Sequence, residues 1–207
     1  MPRPANQHSD ETFAIAAFTE LGLAMIAILL GSLFGPNVRE HIPRWGDRAG
    51  LIEAVVWGVP FGIGLVFLMQ GVSKLPLRSL KRLDQIVDDR LQSVLLPLTS
   101  IQMVVLSMTA GIGEELLFRG WLQRLLVGDL AGEWFSIRVV PGLVLASLLF
   151  GLAHPISKAY VVLASFIGLL LGLLYLLTEN LLACILAHAL YDAILMLLWK
   201  TSESSST

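Results

Sequence analysis

The chain has 207 residues, of which 56 % are hydrophobic and only 14 % charged, and a mean hydropathy of +0.76, more apolar surface than a soluble domain of this length can bury. Its formal net charge of −2 says little about partners, and no basic stripe points to nucleic acid. The single cysteine, Cys184, cannot form an intrachain disulfide and is expected only to pack within its apolar segment.

Residues 1–12, MPRPANQHSDET, are polar and mixed in charge, and the apolar run behind them is about 22 residues long. A cleavable signal peptide would start more basic and carry a shorter apolar core, so an uncleaved first span is expected. About 20 apolar helical residues cross a hydrocarbon layer about 30 Å thick. By that measure the spans are 13–34, 51–72, 93–127, 139–154, 159–177 and 182–199. The third is too long for one simple crossing and is expected to run past the bilayer or to break near Gly111–Gly113. The fourth is short and ends at Pro155. Between the second and third spans, residues 73–92 carry Lys74, Arg78, Lys81, Arg82 and Arg90, the best candidate for a cytoplasmic loop and for an interfacial amphipathic helix. Six crossings then place both termini in the cytoplasm, although Arg39, Arg44 and Arg48 in residues 35–50 pull the other way. Gly58/Gly62 and Gly168/Gly172, at helical spacing, suit close helix contact. Residues 1–92 read as an N-terminal transmembrane hairpin with its basic loop, 93–199 as the core and 200–207 as a disordered tail. The fold class is all-α: a polytopic transmembrane bundle of about six spans, an integral, multi-pass membrane protein in contact with the lipid bilayer.

Within this apolar frame GIGEELLFRGW, residues 111–121, places Glu114, Glu115 and Arg119 inside the third span. Without partners, three charges there would cost on the order of 7–10 kcal/mol on insertion scales. Glu115 and Arg119 are four residues apart, on one helix face and in the favoured order for a pair. Glu114 points about 100° away and must find protons, water or another helix. Two histidines lie at or in apolar segments: His154, one turn after Phe150, and His188, one turn before Asp192. Polar groups in membrane helices face inward and pair, which gathers Glu114, His154, His188 and Asp192 round one internal cavity. There a carboxylate can act as general base toward a water, while imidazoles steady that water, donate to an oxyanion or bind a metal. Two histidines with Glu114 or Asp192 also match the ligand types of a catalytic zinc, although no HExxH helix is present. The same residues taken singly also suit helix ends and structural pairs. Glu20 in the first span and Glu53 near the start of the second have no role in this reading.

The three blocks, Glu114-Glu115-LLF-Arg119, Phe150-GLA-His154 and His188-ALY-Asp192, resemble the EExxxR, FxxxH and HxxxN/D motifs of the CPBP family of intramembrane proteases. This family is also called the CAAX-protease and bacteriocin-processing, or ABI, family. The resemblance covers about residues 93–199. It implies a core of four helices and hydrolysis of a peptide bond within the bilayer, in a prokaryotic plasma membrane or an organellar membrane. It implies that Glu114 activates water, that His154 and His188 orient it, stabilise the oxyanion or bind a divalent metal such as zinc, and that Asp192 supports His188. Glu115 and Arg119 would brace the helix, with Phe150 in support. The expected partner is a peptide or lipidated-protein substrate. Asp192 stands where prenyl-protein members usually carry Asn, and an anion there favours metal binding or tautomer control over a purely oxyanion-stabilising role.

One geometric condition attaches to this site. In straight antiparallel helices His154 would lie near one membrane face and His188 about 10 Å in from the other. They meet only if helices tilt or if Pro155–Lys158 dips inward, which is tolerated where backbone lines a cavity. Two other classes compete with the enzyme. One is a non-proteolytic membrane scaffold or immunity-type protein on the same fold. The other is a proton-coupled transporter using the same buried acids and histidines.

Overall fold

The computed structural model of the chain describes residues 5–76, 95, 97–128 and 137–206. Residues 77–92 of the basic loop, with four of its five cations, lie outside the described residues. Among the described residues six helices follow one another: α1 Ala5–Phe34, α2 Arg48–Ser73, α3 Ser100–Val127, α4 Val139–Leu152, α5 Lys158–Thr178 and α6 Leu181–Ser206. Among the described residues there is no strand. Helices are what a lipid-embedded chain must form, because each satisfies its backbone groups internally. Five of the six are long and apolar enough to cross a membrane, and α4, with 14 residues, is about 21 Å long. Large apolar side chains such as Ile15, Phe18, Phe67, Val140, Val162 and Leu177 face outward on every helix but α6, where Leu198 does so less fully, as lipid solvation allows.

Cross-helix contacts fix the directions. Gly58 and Gly62 of α2 lie against Ala183 and Ala187 of α6, so these two run parallel. Arg119 and Gln123 of α3 reach Gly168 and Gly172 of α5, again parallel. In contrast, Phe118 and Val127 meet Phe150 and Gly142 in reversed order, so α3 and α4 are antiparallel. The order is up and down throughout, which brings the start of α1, the end of α2 and the end of α6 to one side. α1 packs chiefly along α3 and α2 along α6, so the first two helices flank the core. α6 runs on through Ser206, over most of the segment for which the composition predicts no order.

Local chemistry sets the helix ends. Thr99 accepts from the Gln102 amide at 3.2 Å while the Gln102 side chain accepts from the Thr99 amide at 2.8 Å, a reciprocal cap that starts α3. The same Gln102 donates to Asp10 of α1 at 2.9 Å, pinning the register of the two helices. α5 ends where Glu179 adopts a left-handed conformation (φ 48°), and α6 begins two residues later. Asn180 in that turn donates to Gly50 O at 2.8 Å and to Glu53 at 3.2 Å, which gives Glu53 a structural partner. α3 does not break at Gly111–Gly113. It continues and widens to π-helical winding over Leu116–Gln123, directly after the two glutamates.

The α2–α6 contact depends on missing side chains. A Cβ on Gly58 or Gly62 would stand 2.6 Å from Ala183 O or Ala187 O, whereas one on Gly64 meets nothing within 4 Å. Gly62→Val is therefore expected to lower stability by about 1–3 kcal/mol, through a forced separation of the helices. Gly64→Ala should be neutral or slightly stabilising. Thermal unfolding of the detergent-solubilised protein, run on both variants, checks the contrast.

Candidate active site

Glu115 is fully buried, and its Oε1 accepts two short hydrogen bonds. Arg119 Nη1 donates at 2.7 Å, as the i,i+4 spacing requires, and His188 Nδ1 donates at 2.7 Å from α6. The second arm of Arg119 donates to Gly168 O of α5 at 2.9 Å, and its guanidinium lies 4.4 Å over the Phe150 ring of α4. One turn on, Gln123 donates to Gly172 O at 3.0 Å. The glycines at 168 and 172 thus serve as close-contact positions and expose their carbonyls to two polar side chains of α3.

Glu114 is also buried but looks the other way. Its Oε1 lies 3.4 Å from His154 Nε2, and its Oε2 is buried without a hydrogen-bond partner. His154 follows the end of α4, where Nδ1 donates to Phe150 O at 2.8 Å. That bond commits the Nδ1 proton and turns the Nε2 edge to Glu114. His188 is held in the same manner: Nδ1 on Glu115, and Nε2 3.4 Å from Asp192 Oδ2. The two imidazoles therefore present the same nitrogen to one space. Both pack on Phe150, with ring centroids 4.9 and 6.1 Å from it. A cavity of about 90 Å³, room for several waters, is lined by Glu114, His154, His188, Asp192, Tyr160 and Tyr191 among others.

The structure brings together all four residues that the sequence gathers by polarity, from α3, the α4–α5 turn and α6. The depth difficulty is resolved by α4 itself. The helix has only 14 residues, so the turn that follows it brings His154 level with Glu114 in the middle of α3. Three features escaped the sequence reading. The bond from His188 to Glu115 crosses between helices and depends on their rotation. Gln123 was readable as the i+4 continuation of Arg119 opposite the i+4 glycines. Tyr160, whose ring lies 6.3 Å from that of His154, enters from the start of α5.

A divalent metal such as zinc was one of the alternative roles that the ligand types left open for the two histidines, with Glu114 or Asp192. The Nε2 edges and carboxylates suit it in kind, but they lie as two pairs, Glu114 with His154 and Asp192 with His188. Among the described residues no three His, Cys, Asp or Glu side chains converge to hold an ion. As two pairs, these side chains form no preformed ligand set among the described residues.

Comparison with known proteins found one family. Residues 96–194 match the type II CAAX prenyl endopeptidase Rce1-like family, over the segment that holds every motif residue. No curated protein and no solved structure matches the chain. With its five apolar spans, the chain is an integral, multi-pass membrane protein.

The buried ion pair makes a sharp energetic forecast. Glu115→Leu leaves the Arg119 charge, 2 % exposed, without its counter-charge, and should cost about 3–5 kcal/mol of stability. The double variant Glu115→Leu/Arg119→Leu removes both charges and should cost clearly less than the sum of the single variants. Denaturant or thermal unfolding of the three solubilised variants measures this non-additivity.

Proposed function

We infer, from the match of residues 96–194 to the type II CAAX prenyl endopeptidase Rce1-like family, that this protein is an intramembrane endopeptidase in which Glu114 activates the attacking water. The substrate class is a membrane-associated peptide or lipidated protein. The observation that carries the reading is the meeting of Glu114 and His154 in a cavity of about 90 Å³ that His188 and Asp192 also line.

A water seated over Glu114 and His154 hydrogen-bonds to both. Glu114 takes its proton as the water oxygen attacks the scissile carbonyl carbon. Negative charge then grows on the carbonyl oxygen. His188, with Nδ1–H held by Glu115, presents Nε2 toward this oxygen, and in its doubly protonated form donates to it. Asp192, 3.4 Å from Nε2, holds that edge in place before substrate binds. Collapse of the intermediate breaks the C–N bond, and the proton on Glu114 passes to the leaving amine. His154 keeps the water aligned, since its own Nδ1–H is fixed by Phe150 O.

The protein reconstituted in lipid vesicles, supplied with peptides bearing or lacking a C-terminal prenyl group, provides the test. Wild type should cleave one of the two sets. Glu114→Gln should lose about 10²–10⁴-fold in rate at unchanged thermal stability. Equal cleavage by Glu114→Gln contradicts the assignment of the base.

A further inference from the structure

Glu20 lies in α1, outside residues 96–194, and none of the motifs accounts for it. A carboxyl group inside a lipid-spanning helix is costly and marks a function by default. α1 crosses α3 at this residue. The Glu20 carbonyl comes so close to Gly113 that a Cβ there would collide with it, and Gly113 immediately precedes Glu114. The bond from Gln102 to Asp10 fixes the same register further along the two helices. The crossing thus carries the Glu20 side chain to the acid of the site. Glu114, His188, His154 and Asp192 are the charged groups within electrostatic reach of the Glu20 carboxyl.

Both acids are left with one unsatisfied atom. Glu20 Oε2 is buried without a hydrogen-bond partner, and so is Glu114 Oε2. Ionised carboxylates only accept hydrogen bonds, so two of them cannot satisfy one another. A single proton between them removes the conflict, because a carboxylic acid donates to a carboxylate in a short, strong bond.

We propose that Glu20 is a positioning residue for Glu114: as a neutral acid it donates a hydrogen bond to Glu114 Oε2, directly or through one water, and so holds Glu114 Oε1 against His154. This rests on Glu114 being the base. α1 then does more than span the membrane. It supplies the outer support of the catalytic carboxylate, and Gly113 is the position that lets it approach. A bidentate carboxylate held at one oxygen cannot swing away from the water at the other.

The test uses the full-length protein in lipid vesicles with the variants Glu20→Leu, Glu20→Gln and Glu114→Gln. Glu20→Leu, which cannot donate, should lower kcat about tenfold or more with KM little changed and thermal stability retained. Glu20→Gln keeps a donor of similar shape and should recover most of that loss. Infrared spectra should show the carbonyl stretch of a protonated carboxylic acid in wild type and its loss in Glu20→Gln, a readout independent of turnover and of the leucine variant. Wild-type kcat in Glu20→Leu, failure of Glu20→Gln to recover it, or a carboxylic-acid band that survives in Glu20→Gln overturns the proposal. Activity retained in Glu114→Gln is a separate result, since it removes the base itself and with it the endopeptidase reading.

Discussion

One carboxylate oxygen organises this protein. Glu115 Oε1 accepts from Arg119 and from His188, both at 2.7 Å, in a place without solvent. Charges so deep are stable only when each is paired and its remaining donors are used. Arg119 meets that condition by donating to Gly168 O and stacking on Phe150, so one guanidinium joins α3, α4 and α5, while His188 ties α6 to the same carboxylate. The consequences reach the cavity. His188 is turned so that Nε2 faces inward, and Phe150, pinned beneath the cation, offers its carbonyl to His154. The ionic node never has to touch a substrate to decide where both imidazoles point.

A second constraint is depth. A site that handles water inside a bilayer must be sealed from lipid and reachable by polar groups from several helices. The short α4 achieves the second requirement, because it ends level with Glu114 and lets a non-helical turn line the cavity. The widened winding of α3 after Glu115 belongs to the same region. It is there that Arg119, Gln123 and Phe118 leave one helix to meet two others. On the far side α1 closes against Gly113.

Much of this could be read from the residues in order. The apolar runs gave the spans, and the i,i+4 pairs Glu115–Arg119, Phe150–His154 and His188–Asp192 all lie where a 3.6-residue period puts them. The polarity argument gathered Glu114 with two histidines because nothing else in the lipid could satisfy them. What could not be read depends on how helices rotate against each other. Composition does not tell that His188 turns to Glu115 as well as to Asp192, or that α1 crosses α3 with Glu20 against Gly113. The flanking arrangement of α1 and α2 is hidden for the same reason: apolar surface is nearly continuous round both helices, so sequence shows no preferred face. The π-helical turn has no composition signal at all. The helical continuation of α6 into a serine-rich end shows that propagation from a stable helix can override weak local preference.

The central claim is that Glu114 makes this membrane protein a peptidase. The most direct check is a comparison of new peptide N-termini in membranes of cells that carry wild type or Glu114→Gln at equal expression. The account predicts a set of termini, in membrane-associated proteins, that appear with wild type and vanish with the variant. Identical termini in both, or none in either while the biological phenotype persists in the variant, would contradict it.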